Sequence, residues 1–190
     1  MDLQAPLTLP ALAALVLTAV ACDLRSRRIP NALVVVGIVL GLFIQTVAPA
    51  GGGLFGQPAG ALGFVPALLG GLAGLGLFLP LYALRALGAG DVKLLAMVGV
   101  WLGAAGVAHA ALWTLLAGGV LSLGVALWSG VLRQVLGNLR FMLTRSLAKA
   151  HGGVVHGAAT ATRTTGRLPY ALAIACGTGI EVVRLWAAAP

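Results

Sequence analysis

Two aspartates dominate a 190-residue chain that contains only four acidic residues. Asp91 belongs to Gly88-Ala89-Gly90-Asp91-Val92-Lys93, a glycine-hinged loop that delivers a carboxylate to the start of an apolar helix. Asp23 closes the first apolar segment and opens the run Asp23-Leu24-Arg25-Ser26-Arg27-Arg28-Ile29-Pro30-Asn31. Ionisable groups at membrane depth are costly and face a partner or a water-filled cavity, so each carboxylate calls for a reason. Two carboxyl groups sharing one proton supply it: the ionised one activates a water while the protonated one polarises a scissile carbonyl. Like charges a few ångströms apart do not both ionise easily, so the two titrations belong to the pair. This reads as an aspartyl protease site inside a membrane bundle, with no cofactor and no metal. Asp91, at a helix N-terminus, is the expected ionised member, and Asp23, at a C-terminus, the protonated one.

Each residue also has an ordinary role open to it. Asp91 suits a helix N-cap, and Asp23 a loop position paired with Arg25 or Arg27. Both together, on one face of a chain almost empty of acids, favour function. Gly88 and Gly90 are candidate substrate-binding positions, since glycine opens positive φ and lets an extended peptide approach the backbone. Lys93 has two roles open, anchoring a lipid phosphate or meeting an acidic group on the substrate. Glu181 is expected to pair with Arg184 across one helical turn. His151 and His156 lack acidic or cysteine companions, which argues against a metal site. Cys22 and Cys176 form no CxxC motif and read as small packing residues.

The elements that must position these groups are apolar helices. Hydrophobic residues make up 60% of the chain and charged residues 8%, with a mean hydropathy of +1.05; an ordinary soluble domain carries roughly 25% charged residues. The expectation is an all-α polytopic membrane bundle in one domain, 1–190, with about six spans of some 20 residues each. Leu7 to Cys22, Asn31 to Val47, Ala61 to Leu84 (interrupted by Pro66 and Pro80), Val92 to Gly103, Val107 to Leu132 and Pro169 to Ala187 are the predicted segments. Ala48 to Gly60 is an uncharged Gly/Pro-rich connection. The net charge of +8 is not a nucleic-acid surface, because the basic residues lie between apolar segments without interleaved aromatics.

Those basic residues fix the orientation instead. With the N-terminus outside, Arg25, Arg27, Arg28, Arg85, Lys93, Arg133, Arg140, Arg145, Lys149, Arg163 and Arg167 fall on the cytoplasmic side, and only Arg184 toward the other. Asp23 and Asp91 then share the cytoplasmic face. The first segment is a retained helix and not a secretory signal, since Asp2 precedes it and arginines follow. Small residues at four-residue spacing in Gly37/Gly41, Gly70/Gly74 and Gly99/Gly103 suit close helix approach. Val131 to Ala150 reads as an amphipathic helix on the anionic cytoplasmic leaflet, and His151 to Gly166 as a loop, so that about 131–168 is a cytoplasmic segment.

Asp23 with Ile29-Pro30-Asn31, the Gly88 to Lys93 loop, and Pro169-Tyr170-Ala171-Leu172-Ala173-Ile174 together resemble the signature of type IV prepilin peptidases, membrane aspartic proteases of the GxGD type. The resemblance covers nearly the whole chain and implies that Asp23 and Asp91 are the catalytic aspartates. It implies prepilin or pseudopilin substrates whose short basic leader is cleaved after a glycine at the cytoplasmic face of the bacterial inner membrane, with pilus or secretion assembly machinery as a possible partner. Larger members carry an added cytoplasmic region with paired CxxC motifs and also methylate the new N-terminus. Without those motifs the expectation is peptidase activity alone, as in the short members serving tight-adherence (Flp) pili. Two readings compete: a small proton-coupled transporter, opposed by both acids falling at one face instead of the midplane, and a non-catalytic assembly scaffold.

Overall fold

The computed structural model describes residues 5–56, 58–128, 130 and 170–187. The chain divides into two compact units, Met1–Gly118 with Pro169–Pro190, and Gly119–Leu168. Among the described residues the regular elements are all helices, without strands: α1 (Ala5–Ser26), α2 (Asn31–Val47), α3 (Phe64–Ala83), α4 (Ala89–Trp128) and α5 (Tyr170–Ala187). Among the described residues, four stretches are long and apolar enough to cross a bilayer, Thr8–Ser26, Phe64–Ala83, Ala89–Val125 and Tyr170–Ala187, while α2 is apolar but shorter. In the second unit the described residues continue α4 to Trp128 with exposed apolar side chains such as Val120, Leu123 and Leu127. The predicted amphipathic helix and the loop after it lie outside the described residues.

Several boundaries differ from the sequence expectation, each for a local reason. α1 runs a turn past Cys22 to Ser26, whose hydroxyl donates to the Cys22 and Arg28 carbonyls. Arg27 then leaves the helix at φ 54°. Pro66 falls in the first turn of α3, where a missing N–H costs nothing, and Pro80 lies near its end, so neither breaks the helix. The segments predicted as separate helices from Val92 and Val107 are, as expected, two helices, which run on from one another as α4 with a kink at Gly103, φ 74° and ψ 176°, a conformation that an L side chain resists. The uncharged connection is more ordered than its composition suggests: Ala50 pairs with Ala61 and Gly53 with Gly60, and Leu54 and Phe55 turn inward and are buried.

α4 is the central element. In its apolar window 78% of residues are buried, against 22–39% in the other three spans, and Leu94, Leu95, Met97, Val98 and Trp101 are fully enclosed. A helix apolar all round belongs inside a bundle. Its neighbours approach through small residues. A Cβ on Gly70 would meet the Gly99 carbonyl oxygen, one on Gly74 would lie 2.5 Å from the Leu95 oxygen, and one on Gly41 2.7 Å from Trp101 Nε1. The three glycine pairs read from spacing therefore all sit on this packing.

The break in α4 is held by a residue that periodicity does not reveal. Gln45 of α2 is fully buried; its Nε2 donates to the Val100 and Trp101 carbonyls, 3.3 Å each, and its Oε1 accepts from Leu62 N–H at 2.8 Å. Trp101 Nε1 returns a bond to the Gly37 carbonyl at 3.0 Å. Gln45→Leu preserves bulk but strands the Leu62 amide and removes two donors. The expected loss is about 2 kcal/mol, checked by unfolding of the variant against wild type in one detergent.

Candidate active site

Asp23 lies in the last turn of α1, where its own carbonyl accepts from Arg27 N–H at 2.9 Å. The surroundings bury its side chain, and Oδ2 accepts from the backbone N–H of Ala171 at 3.3 Å. Ala171 is the second residue of α5, so the start of the last helix, with its free amides, is directed at the carboxylate of the first. The arginines downstream are exposed, and among the described residues the ion pairs within 4 Å all involve Glu181. Asp23 is therefore not the partner of Arg25 or Arg27.

Asp91 lies in the first turn of α4 and is buried to the same degree. Its Oδ2 accepts from Gly88 N–H at 3.0 Å while its own N–H donates to the Gly88 carbonyl at 3.1 Å. This is the reach-back of a third-position acid to the residue before the helix, rather than an N-cap proper. One carboxylate oxygen is left for other work. Neither Gly88 nor Gly90 takes positive φ, contrary to the expectation for the loop. Small size matters at Gly88, where a Cβ would lie 3.1 Å from Asp91 Oδ2; one on Gly90 would lie 3.4 Å from Ile29. Gly90 thus faces Ile29, in the loop that follows Asp23, at a distance that a Cβ would turn into ordinary contact.

The two acids lie near enough for the charge of one to reach the other. The charge of Asp23 acts on Asp91, and that of Asp91 on the Tyr170 phenol. Tyr170 packs edge-on against Phe78, with ring centroids 6.2 Å apart, and covers Gly118, where a Cβ would come within 3.0 Å of its hydroxyl. Lys93 Nζ donates to Asn31 Oδ1 at 3.0 Å, tying the first turn of α4 to that of α2. The three sequence motifs thus meet at one end of the bundle. Among the described residues no group of three or more His, Cys, Asp or Glu side chains converges to hold a metal ion. At the opposite end of α5, Glu181 pairs with Arg184 as expected, and His109 joins them unforeseen.

Residues 10–123, more than half of the sequence, match the profile of the type IV leader peptidase family. The chain belongs to this family. No curated protein and no solved structure matches it. Family membership makes the protein a peptidase, and its apolar helices make it a membrane protein. The matched range contains Asp23 and the Gly88 to Lys93 loop and stops short of α5, so the placement of Tyr170 and Ala171 against the acids is a contribution of the fold. The Lys93–Asn31 bond is exposed and links the starts of α4 and α2. Lys93→Ala and Asn31→Ala should each slow cleavage by less than about tenfold, the order of one exposed hydrogen bond to a charged group. Rates of the single and double variants check this, and the double should be no slower than the worse single.

Proposed function

We propose that the protein removes the short basic leader of type IV prepilins or pilin-like proteins, with Asp23 and Asp91 as a proton-sharing pair. The observation that supports this reading is that the buried acids of α1 and α4, neither in an ion pair among the described residues, lie at the same end of the bundle. The ionised carboxylate takes a proton from water as the water oxygen attacks the scissile carbonyl carbon. The protonated partner gives its proton to the carbonyl oxygen, forming a neutral tetrahedral diol. On collapse the ionised carboxylate takes a proton from one diol hydroxyl while the other carboxyl gives its proton to the departing amine as the C–N bond breaks, so the pair again holds one proton. Amide donors face both acids, from Gly88 to Asp91 and from Ala171 to Asp23, so the helix-end asymmetry expected to make Asp91 the ionised member is offset at Asp23.

The same reading places the site at the cytoplasmic face of the bacterial inner membrane. The 37-residue apolar stretch Ala89–Val125 is about twice as long as one crossing needs, and the break at Gly103 supplies the point of return. Counting that element as two crossings, with α1, α2, α3 and α5 as one each, gives six spans with the N-terminus outside and the basic residues inside. The basic leader of a prepilin then meets the dyad without crossing the bilayer. The direct test is the purified protein in lipid vesicles with a leader-bearing pilin, followed by mobility and by sequencing of the product N-terminus. The expected product begins after the leader glycine. An intact pilin after long incubation, with the protein folded, rejects the substrate class.

A further inference from the structure

At the other end of the bundle lies a cavity of about 330 Å³ that the peptidase chemistry does not use. Its walls include Phe55 of the folded connection, Trp101, the Gly103 break, His109, Glu181 and Arg184. Arg184 Nε donates to Glu181 Oε2 at 2.8 Å, and Nη2 donates to Glu181 Oε1 at 2.6 Å and meets His109 Nδ1 at 3.0 Å. A guanidinium has hydrogens to give and no lone pair to offer, so in the tautomer that accepts from Arg184 at Nδ1 the imidazole carries its hydrogen on Nε2. The Glu181 carboxylate is fully buried, and both of its oxygens are engaged by Arg184. The two Nη1 hydrogens of Arg184 and the Nε2 hydrogen of His109 have no partner among the described residues, and both side chains are about half exposed. The charged cluster therefore offers the cavity donors and no free carboxylate, beside apolar surface from Leu62 and Leu185.

We propose that this cavity holds the phosphate headgroup of a membrane phospholipid, with Arg184 Nη1 and His109 Nε2 donating to phosphate oxygens and the acyl chains leaving along the apolar wall. A phosphate diester only accepts hydrogen bonds at its oxygens, which complements a donor-only cluster. The position fits as well. Arg184 is thirteen residues along α5 from Ala171, about 20 Å at the rise of an α-helix, which brings the cluster toward the headgroups of the leaflet opposite the dyad. Because Arg184 balances the charge of Glu181, recognition rests on hydrogen bonding to phosphate more than on net charge. A soluble phosphate ester shares the head chemistry but gains nothing from the apolar wall.

Native mass spectrometry of the purified full chain tests this with three probes: dioleoylphosphatidylglycerol, dioleoylglycerol and glycerol phosphate. Wild-type protein should retain the phospholipid at least about tenfold more tightly than either other probe, the order of two charge-assisted hydrogen bonds and their apolar complement. His109→Leu, at a half-exposed position, and Arg184→Lys, which keeps a cation beside Glu181, should each bring phospholipid retention toward that of dioleoylglycerol. Equal retention of dioleoylglycerol by wild type overturns the proposal in favour of a hydrocarbon crevice. Equal binding of glycerol phosphate overturns it in favour of a soluble ester site, and unchanged retention in both folded variants shows that the lipid sits elsewhere.

Discussion

Asp23→Asn and Asp91→Asn should each lower leader removal by at least about a thousandfold, because the reaction needs one carboxylate to accept a proton while the other donates one. Asparagine keeps the shape of the side chain and can still accept the structural hydrogen bonds, from Ala171 N–H at position 23 and from Gly88 N–H at position 91. What it cannot do is exchange a carboxyl proton, so the chemistry should fail in a protein that still folds. The double variant should be little worse than either single one, since residues acting as a unit give strongly non-additive losses. Initial rates of leader cleavage, with melting temperature in the same detergent as the folding control, decide the matter. A folded single variant within tenfold of the wild-type rate would remove the dyad from the mechanism. A transporter or scaffold role carries no such requirement for proton exchange on a peptide bond.

How much of this was legible beforehand depends on what each residue advertises. Asp23 and Asp91 were visible because acids are so scarce, and the apolar segments because each carries enough hydropathy to be read alone. The glycine pairs were readable from their spacing, though spacing could not say that Gly70 faces Gly99 and Gly41 faces Trp101. The rest is held in long-range pairings that no local pattern encodes. Gln45 looks like a stray polar residue in α2 until its three bonds to the α4 break and Leu62 are seen. The amide of Ala171 reaches a carboxylate 148 residues earlier, and His109 gives no sign in sequence that it will meet Glu181 and Arg184. The central place of α4 was hidden for a related reason: hydropathy measures aversion to water and cannot tell a lipid-facing helix from one enclosed by other helices. Leu54 and Phe55 were masked by the glycines and prolines around them.

Gly70→Val should be the most damaging substitution outside the acids, with an expected loss of at least about 3 kcal/mol. A Cβ at this position would overlap the Gly99 carbonyl oxygen and come within 2.7 Å of Gly103 Cα. All of these are backbone atoms. A side-chain neighbour can rotate away, but a helix backbone yields only by moving the helix, so α3 and α4 would have to separate along their crossing. The same displacement would reach the Gly103 break that Gln45 holds and, through the rigid first half of α4, the turn that carries Asp91. Peptidase activity should therefore fall together with stability, although residue 70 has no contact with the acids. Gly76→Ala supplies the control within the same helix. Nothing lies within 4 Å of its added Cβ, and alanine favours a helix over glycine by roughly 1 kcal/mol, so this variant should be as stable as wild type or slightly more so. Thermal unfolding of the two variants side by side distinguishes a crossing that needs bare backbone from a general intolerance of α3 to side chains: a Gly70→Val protein that melts with wild type would mean that the two helices do not approach at Gly70 and Gly99.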